Sequence, residues 1–303
     1  MQDKAPTIGF IGLGVMGSPM CRNMADKHEG RVIAFDLEPA AIATLQDTSA
    51  EPGQNIAEVA AISDVMFLSL PGGPQVEAVC RAILPVVRHG STIVDLSTTS
   101  VADAKRVAGL LQSAGLQFAD APVARTREAA QRGELSIMVG ADKAVFSRIR
   151  SMLHMIGSDV THCGGVGTGQ VVKLVNNMLV FEHTAALAEM MVLAERAGVE
   201  PAKLLDAVSK GSGDSFVLRN HGMKAMLPRV FPDKAFPPSY VLKDIGYVLE
   251  LADDQGLEAH VAALVRRYYE AAEANGLSGK YFPCVIEIVE KGGLGDLLPP
   301  NLK

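Results

Sequence analysis

The sequence has no tryptophan, only four cysteines in 303 residues, and no apolar run long enough to cross a bilayer. Each scarcity excludes something. Cys21, Cys80, Cys163 and Cys284 stand far apart with no CxxC, and the seven histidines form neither HExxH nor HxH, so no metal site and no disulfide framework is expected. The longest apolar segment, HTAALAEMMVLAERAG, is broken by Glu189 and Glu195 and is too short for a membrane span. The N-terminal MQDKAPTIGFIGLG lacks a basic start followed by a long apolar stretch and a small-residue cleavage site, which leads to the expectation of a cytoplasmic protein. Cationic residues are also in deficit, 28 Lys and Arg against 34 Asp and Glu, and they are scattered, which argues against a nucleic-acid partner.

What is present is apolar material, 48% of the chain, enough for two ordinary cores. The first half alternates short β-branched runs with helical patterns: TIGFIGLG, RVIAFD, VMFLSL, STIVDLS, LQFADAPV and LSIMVG, each followed by an amphipathic stretch or turn. That alternation predicts an α/β fold, a doubly wound and mostly parallel sheet. After about Gly164 the strand signals stop. From Gly169 to Gly198 the apolar positions recur at helical spacing, and helices broken at Pro201, at GSGDS 211–215 and at FPDKAFPPS 231–239 follow. The expected domains are therefore 1–163 and an all-α 164–303, joined by the long helix. The tail from 292, GGLGDLLPPNLK, reads as irregular chain, and there is no repeat of solenoid period.

In GFIGLGVMGSPM, Gly12, Gly14 and Gly17 form GxGxxG between a strand and a helix, with Leu13, Val15 and Met16 between them. The first glycine permits the tight turn, the second the approach of a pyrophosphate, and the third close helix–strand packing. The next strand ends in Asp36, nineteen positions after Gly17, near the spacing of an acid that accepts the adenosine ribose hydroxyls. A carboxylate there repels a 2′-phosphate, so NAD is favoured over NADP; Arg31, which begins the same strand, keeps NADP in view. In the long helix, Lys173 and Asn177 lie four apart among Val171, Val172, Leu174 and Val175. One reading is a lysine that runs its ammonium out to water. The other is a partly desolvated general acid–base with Asn177 orienting it or the substrate.

Taken in order, GFIGLGVMG, DLSTTS at 95–100, DAPV at 120–123, GVGTGQVVKLVNN at 165–177 and VLKDIGYVLELA at 241–252 resemble the β-hydroxyacid dehydrogenase family, over nearly the whole chain. The resemblance implies a Rossmann domain followed by an α-helical domain, reversible NAD-linked oxidation of a short anionic 3-hydroxy acid to its semialdehyde, and a homodimer or homotetramer. It also implies roles. Lys173 is similar to the family's catalytic lysine and Asn177 to its catalytic asparagine. Ser97 matches a substrate-binding serine and Thr98 its cofactor-side companion, with Asn176 beside the substrate. Leu70 and Pro71 match the loop along the nicotinamide, and Lys243 a lysine that reaches both cofactor and substrate.

One segment departs from the family. DAPV ordinarily continues as Ser-Gly-Gly, a cradle for the substrate carboxylate, and here reads Ala124, Arg125, Thr126. The PV-x-R-T pattern is similar to that of sulfolactaldehyde reductases, a branch acting on a three-carbon sulfonate, which implies that Arg125 contacts a sulfonate or other second anion. The alternative is that Arg125 pairs with Glu128 or Asp120 and shapes the turn. Alternatives to the overall reading are an ordinary 3-hydroxyisobutyrate dehydrogenase or tartronate semialdehyde reductase, and a catalytically silent NAD-binding sensor, which retention of Lys173 disfavours. Imine reductases of similar architecture usually replace the lysine, and the short α-domain disfavours a 6-phosphogluconate dehydrogenase.

Overall fold

A computed structural model describes residues 5–233 and 235–294. Two compact units divide the chain, one up to Lys173 and one from Leu174 onward, so the division falls inside the long helix rather than ahead of it. The tail from 295 lies outside the described residues.

The first unit runs β1 (Ile8–Ile11), α1 (Gly17–Lys27), β2 (Val32–Phe35), α2 (Pro39–Ala43), β3 (Glu51–Pro52), α3 (Ile56–Ile62), β4 (Val65–Leu68), α4 (Gly73–Ile83), β5 (Thr92–Asp95), α5 (Val101–Ser113), β6 (Gln117–Asp120), β7 (Val123–Ala124), α6 (Arg127–Arg132), β8 (Leu135–Gly140), α7 (Lys143–Leu153) and β9 (Gly157–Gly164). The strands are ordered β3-β2-β1-β4-β5-β6-β8-β7, with β9 on β8. Pairing is parallel from β3 to β6 and antiparallel where β8 meets β6 and β7. Because successive side chains point to opposite faces, Ile8, Phe10, Val65 and Phe67 feed one apolar core, and Ile11, Ile33, Met66 and Leu68 the other. The six strands expected from sequence are all present. Strand β9 was not expected, because GSDVTHCG at the sheet edge is largely uncovered and carries no apolar run.

Helix α8 (Thr168–Arg196) starts in the first unit and continues through the second. Pro201 opens α9 (Pro201–Val208) rather than merely breaking a helix, since a missing N–H costs nothing at a helix start. A π-helical segment Leu218–Met226, α10 (Pro238–Asp254), α11 (His260–Ala274), a short 3-10 turn Phe282–Val285 and α12 (Ile286–Glu290) follow. The core of this unit centres on Phe282, whose ring lies 5.7 Å from that of Phe181, 5.0 Å from His221 and 5.0 Å from Tyr281. All five tyrosines of the chain belong to this second unit.

Candidate active site

In a parallel sheet all strands end on the same side, and the register brings the expected residues to that edge: Ile11 pairs with Phe35 and Leu68, Leu68 with Asp95, and Asp95 with Asp120. Gly12, Asp36, Leu70 and Ser97 each follow within two residues of one of these strand ends. Strands β2 and β4 flank β1, so the strand order, not the strand direction, reverses at β1, where such folds open a crevice.

The three glycines serve different ends. Gly12 has φ +96°, and a Cβ there would stand 2.2 Å from the Ser69 carbonyl oxygen; one on Gly17 would stand 2.0 Å from that of Gly12. These two are demanded by the protein's own packing. A Cβ on Gly14 would meet nothing within 4 Å, so the space over the second glycine is left for something else. Helix α1 offers its first-turn amides with no side-chain cap from Met16 and no acid in its first turn. The half-buried Asp36 accepts the Leu13 amide at 2.6 Å and the Glu38 amide at 2.8 Å, which aims its carboxylate along the loop. The arrangement fits a dinucleotide: Gly12–Gly17 would hold the pyrophosphate and Asp36 the ribose. Arg31 is five residues back along β2, roughly 16 Å at the rise of a strand, and pairs with Glu51 at 2.7 Å. The Asp36 carboxylate, set where a 2′-phosphate would lie, favours NAD.

Beside this loop, the Leu70 amide donates to the Ser97 hydroxyl at 2.9 Å, and the Ser97 amide to Asp95 at 2.9 Å. Ser97 is buried, Thr98 and Leu70 are half-buried and Pro71 is exposed. Past β6 the chain makes an unusual turn. Arg125 has φ +88°, a left-handed conformation costing a non-glycine residue on the order of 1–2 kcal/mol. Its guanidinium reaches neither Glu128 nor Asp120. It donates to the Glu134 carbonyl at 2.6 Å, the Ser158 hydroxyl at 2.8 Å and the Asp159 carboxylate at 2.7 Å. Hydrogen bonds from Ser158 and Arg125 hold the Asp159 carboxyl below its usual range. Ala124 is buried, and Thr126 caps α6 through the Ala129 amide.

Lys173 does not run its ammonium out to water. It is 8% exposed, whereas its neighbours Val172 and Val175 are 41% and 53% exposed. Helix α8 buries Gln170, Lys173, Asn177 and Thr184 beside the apolar Leu174, Met178 and Phe181, while Val172, Val175 and Leu179 stand exposed. The helix start is tied to the sheet by Asp120, whose carboxylate accepts the Gly167 amide at 2.6 Å and the Gln170 amide at 2.9 Å. Burial pushes this carboxyl up to about 6 against the pull of those amides. Within the second unit, Asn176 donates to Asn177 at 3.2 Å and Asn177 to Asp244 at 2.7 Å. Asp244 is 1% exposed and pairs with Lys243 at 3.3 Å, while the Lys243 ammonium lies 5.9 and 5.5 Å from the Tyr240 and Tyr247 ring centres.

Sequence reasoning gave no site role to the buried Asp95, Asp120 and Gln170 of the first unit or to the buried Asp244 of the second. All four lie inside segments it quoted, and the available signal was a polar residue at a position the strand or helix pattern buries. Cys21, Cys80 and Cys284 are buried, burial pushing the Cys21 and Cys284 thiols up to about 12, and among the described residues no group of three His, Cys, Asp or Glu side chains is placed to hold a metal. No helix among them is long and apolar enough to cross a membrane.

Comparison with known proteins agrees with this geometry. The sequence profile of the NAD binding domain of 6-phosphogluconate dehydrogenase matches residues 7–165, and that described as NAD-binding of NADP-dependent 3-hydroxyisobutyrate dehydrogenase matches 167–288. The 2-(hydroxymethyl)glutarate dehydrogenase of Eubacterium barkeri is 34% identical, covering 95% of this chain and 96% of the relative. The 2-hydroxy-3-oxopropionate reductase of Escherichia coli K12 is 32% identical over 93% and 97%. The structure of Mycobacterium tuberculosis 3-hydroxyisobutyrate dehydrogenase with L-serine superposes with a TM-score of 0.84 at 29% identity, covering 94% of this chain and 99% of that one. With two profiles, full-length relatives and a matching fold in agreement, the chain belongs to the β-hydroxyacid dehydrogenase family and is an NAD-dependent hydroxyacid dehydrogenase.

Proposed function

We propose that this enzyme interconverts the primary alcohol and the aldehyde of a short anionic 3-hydroxy acid, with Lys173 as the proton-transfer group, and that Arg125 reads a second anionic group on the substrate. The observation that carries the first part is the burial of Lys173 on α8 while Val172 and Val175 beside it stand exposed. Holding a lysine away from water is costly, and the cost is intelligible where the ammonium serves chemistry. NAD, when bound, accepts or returns the hydride at the carbinol carbon. Lys173, as the neutral amine, takes the hydroxyl proton at its Nζ in oxidation and, as the ammonium so formed, returns it in reduction. Asn177, one helical turn on, orients the reacting oxygen or the ammonium. Ser97 and Asn176 bind the substrate, Thr98, Leu70 and Pro71 line the cofactor, and Lys243 serves both.

Two observations support the second part. Arg125 keeps a strained backbone where a glycine would be at ease, and such strain is retained where a side chain has a task. Its pair with Asp159 is surface-exposed, 41% and 57%, so exchanging that carboxylate for a substrate anion costs little. The Eubacterium barkeri relative is named for a dicarboxylic acid and the Escherichia coli relative for a monocarboxylic one, so both kinds of substrate belong in the test.

The test is NADH-linked turnover of 3-hydroxyisobutyrate, 2-(hydroxymethyl)glutarate, tartronate semialdehyde and 2,3-dihydroxypropanesulfonate. Lys173→Ala is expected to lower kcat by roughly 10³ with little change in NADH affinity. Arg125→Gly is expected to raise KM about tenfold for 2-(hydroxymethyl)glutarate, which carries a second carboxylate, and for the sulfonate, and to spare 3-hydroxyisobutyrate. Equal effects of Arg125→Gly on all substrates would remove the second-anion role, and NADH binding without turnover of any would favour the sensor.

We further infer a homodimer formed along α8. Its uncovered positions, Val175, Leu179, His183, Ala186, Met190 and Leu193, recur every three or four residues. Antiparallel pairing about the point between Glu182 and His183 sets Val175 opposite Met190, Leu179 opposite Ala186, and each Glu182 opposite the partner copy's imidazole, so the stripe complements itself. Leu179→Asp is expected to convert a sedimenting dimer to a monomer; a monomeric wild type would overturn the assignment.

A further inference from the structure

We propose that Gln170 is a positioning residue, a clamp that fixes the proton-transfer lysine relative to the loop carrying Ser97. The proposal rests on the reading of Lys173 above, and every group it uses lies in the first unit.

Gln170 is wholly buried, and a buried primary amide is costly unless both of its ends are hydrogen-bonded. Its side-chain nitrogen donates to the Ser97 carbonyl at 2.8 Å, and its side-chain oxygen accepts the Thr99 amide at 3.1 Å. One side chain thus seizes the backbone on both sides of Thr98, much as a neighbouring strand would. The backbone of Gln170 is held from the other direction, by Asp120 at the end of β6. The junction is tight as well: a Cβ on Gly169 would stand 2.4 Å from the Met138 carbonyl oxygen and 2.8 Å from the Asp120 carboxylate. The first turn of α8 therefore cannot slide on the sheet, and Gln170 transmits that fixed position to residues 97–99.

Both ends of the chain of contacts matter for chemistry. Lys173 follows Gln170 by three residues, on the same face of the helix. Ser97, whose carbonyl the clamp holds, accepts through its hydroxyl the amide of Leu70 in the neighbouring loop. Removing the clamp leaves a carbonyl and an amide buried without their partner, and frees the 97–99 backbone to move relative to Lys173. Misplacement of reacting groups by an ångström is enough to slow a reaction about a hundredfold.

Gln170→Met keeps the volume and deletes both bonds. Its expected result is a fall in kcat of roughly 10- to 100-fold, with NADH affinity within about twofold and a smaller change in KM. Deuterium uptake in peptides covering 96–100 should quicken, whether or not substrate is present. Gln170→Glu supplies the readout that a merely structural role would not move. When protonated, its carboxyl presents one donor and one acceptor as glutamine does, so its kcat relative to wild type should rise as pH falls. Unchanged uptake at 96–100 overturns the clamp. Quickened uptake with kcat within about twofold of wild type overturns its role in positioning, and so does a flat Gln170→Glu to wild-type ratio across pH. Full turnover by Lys173→Ala defeats the underlying reading instead, and is distinct from a fast Gln170→Met beside an inactive Lys173→Ala, which sinks the clamp alone.

Discussion

The two units bury polar groups for different purposes. In the first, Asp95, Ser97, Thr99, Asp120 and Gln170 are buried at or just beyond the carboxyl edge of the sheet, and the bonds traced among them tie loop to strand, helix start to strand and helix start to loop. In the second, burial is dominated by rings. Phe181, Tyr269, Tyr281 and His221 pack on Phe282, and the described polar burials are few: Asn177, Thr184, His221 and Asp244. One unit uses buried polarity to hold geometry against a rigid sheet, and the other uses packing to hold itself together.

If that contrast is right, the largest effect comes from the ring cluster. Phe282→Ala should cost about 3–5 kcal/mol. Pulse proteolysis in urea, with fragments assigned by mass, should show cleavage sites beyond Leu174 opening first. Protection lost equally in both units would break the contrast.

A smaller effect separates the units by pH, with opposite signs. Asp120 titrates at about 6 in the fold against an ordinary 3.8, because burial disfavours its charge. Its native carboxyl therefore holds its proton more tightly than the unfolded one. The stability it contributes is complete below 3.8 and is lost as pH rises through about 6, on the order of 3 kcal/mol. His221 is pushed down from 6.5 to about 4 by burial and by nearby Lys224. Its contribution is present above 6.5 and is lost as pH falls through about 4, of similar order. Acidification from 6.5 to 4 should thus loosen the second unit while the Asp120 contribution firms the first, and His221→Phe should flatten the former. The same proteolysis at the two pH values checks both; parallel loss of protection in the two units, or an unaltered response in the variant, would count against it.

The legibility of the sequence followed the same division. Alternating apolar runs and glycines with fixed tasks are local signals, so the sheet, the glycine loop and Asp36 were readable. Lys173 was readable because a cation among valines conflicts with its surroundings. The long helix was legible too, but not which of its valines face outward, because Val172 and Val175 look like core until the fold turns them to solvent. The partner of Arg125 was unreadable for another reason: Asp159 lies thirty-four residues away on an edge strand that has no apolar signature, while Glu128 and Asp120 were merely close in sequence. Gln170 fared likewise, since a glutamine in a helix is ordinary until both of its ends are seen engaged.

The placement of the tyrosines has an optical consequence. With no tryptophan in the chain and every tyrosine beyond Leu174, the intrinsic fluorescence of the protein comes from the second unit alone. Bound NADH, absorbing and emitting at longer wavelength, would report on a cofactor whose pyrophosphate the first unit's glycine loop would hold. Two chromophores thus label the two units without any engineered probe, and a single titration of the native enzyme with NADH follows each unit in its own colour.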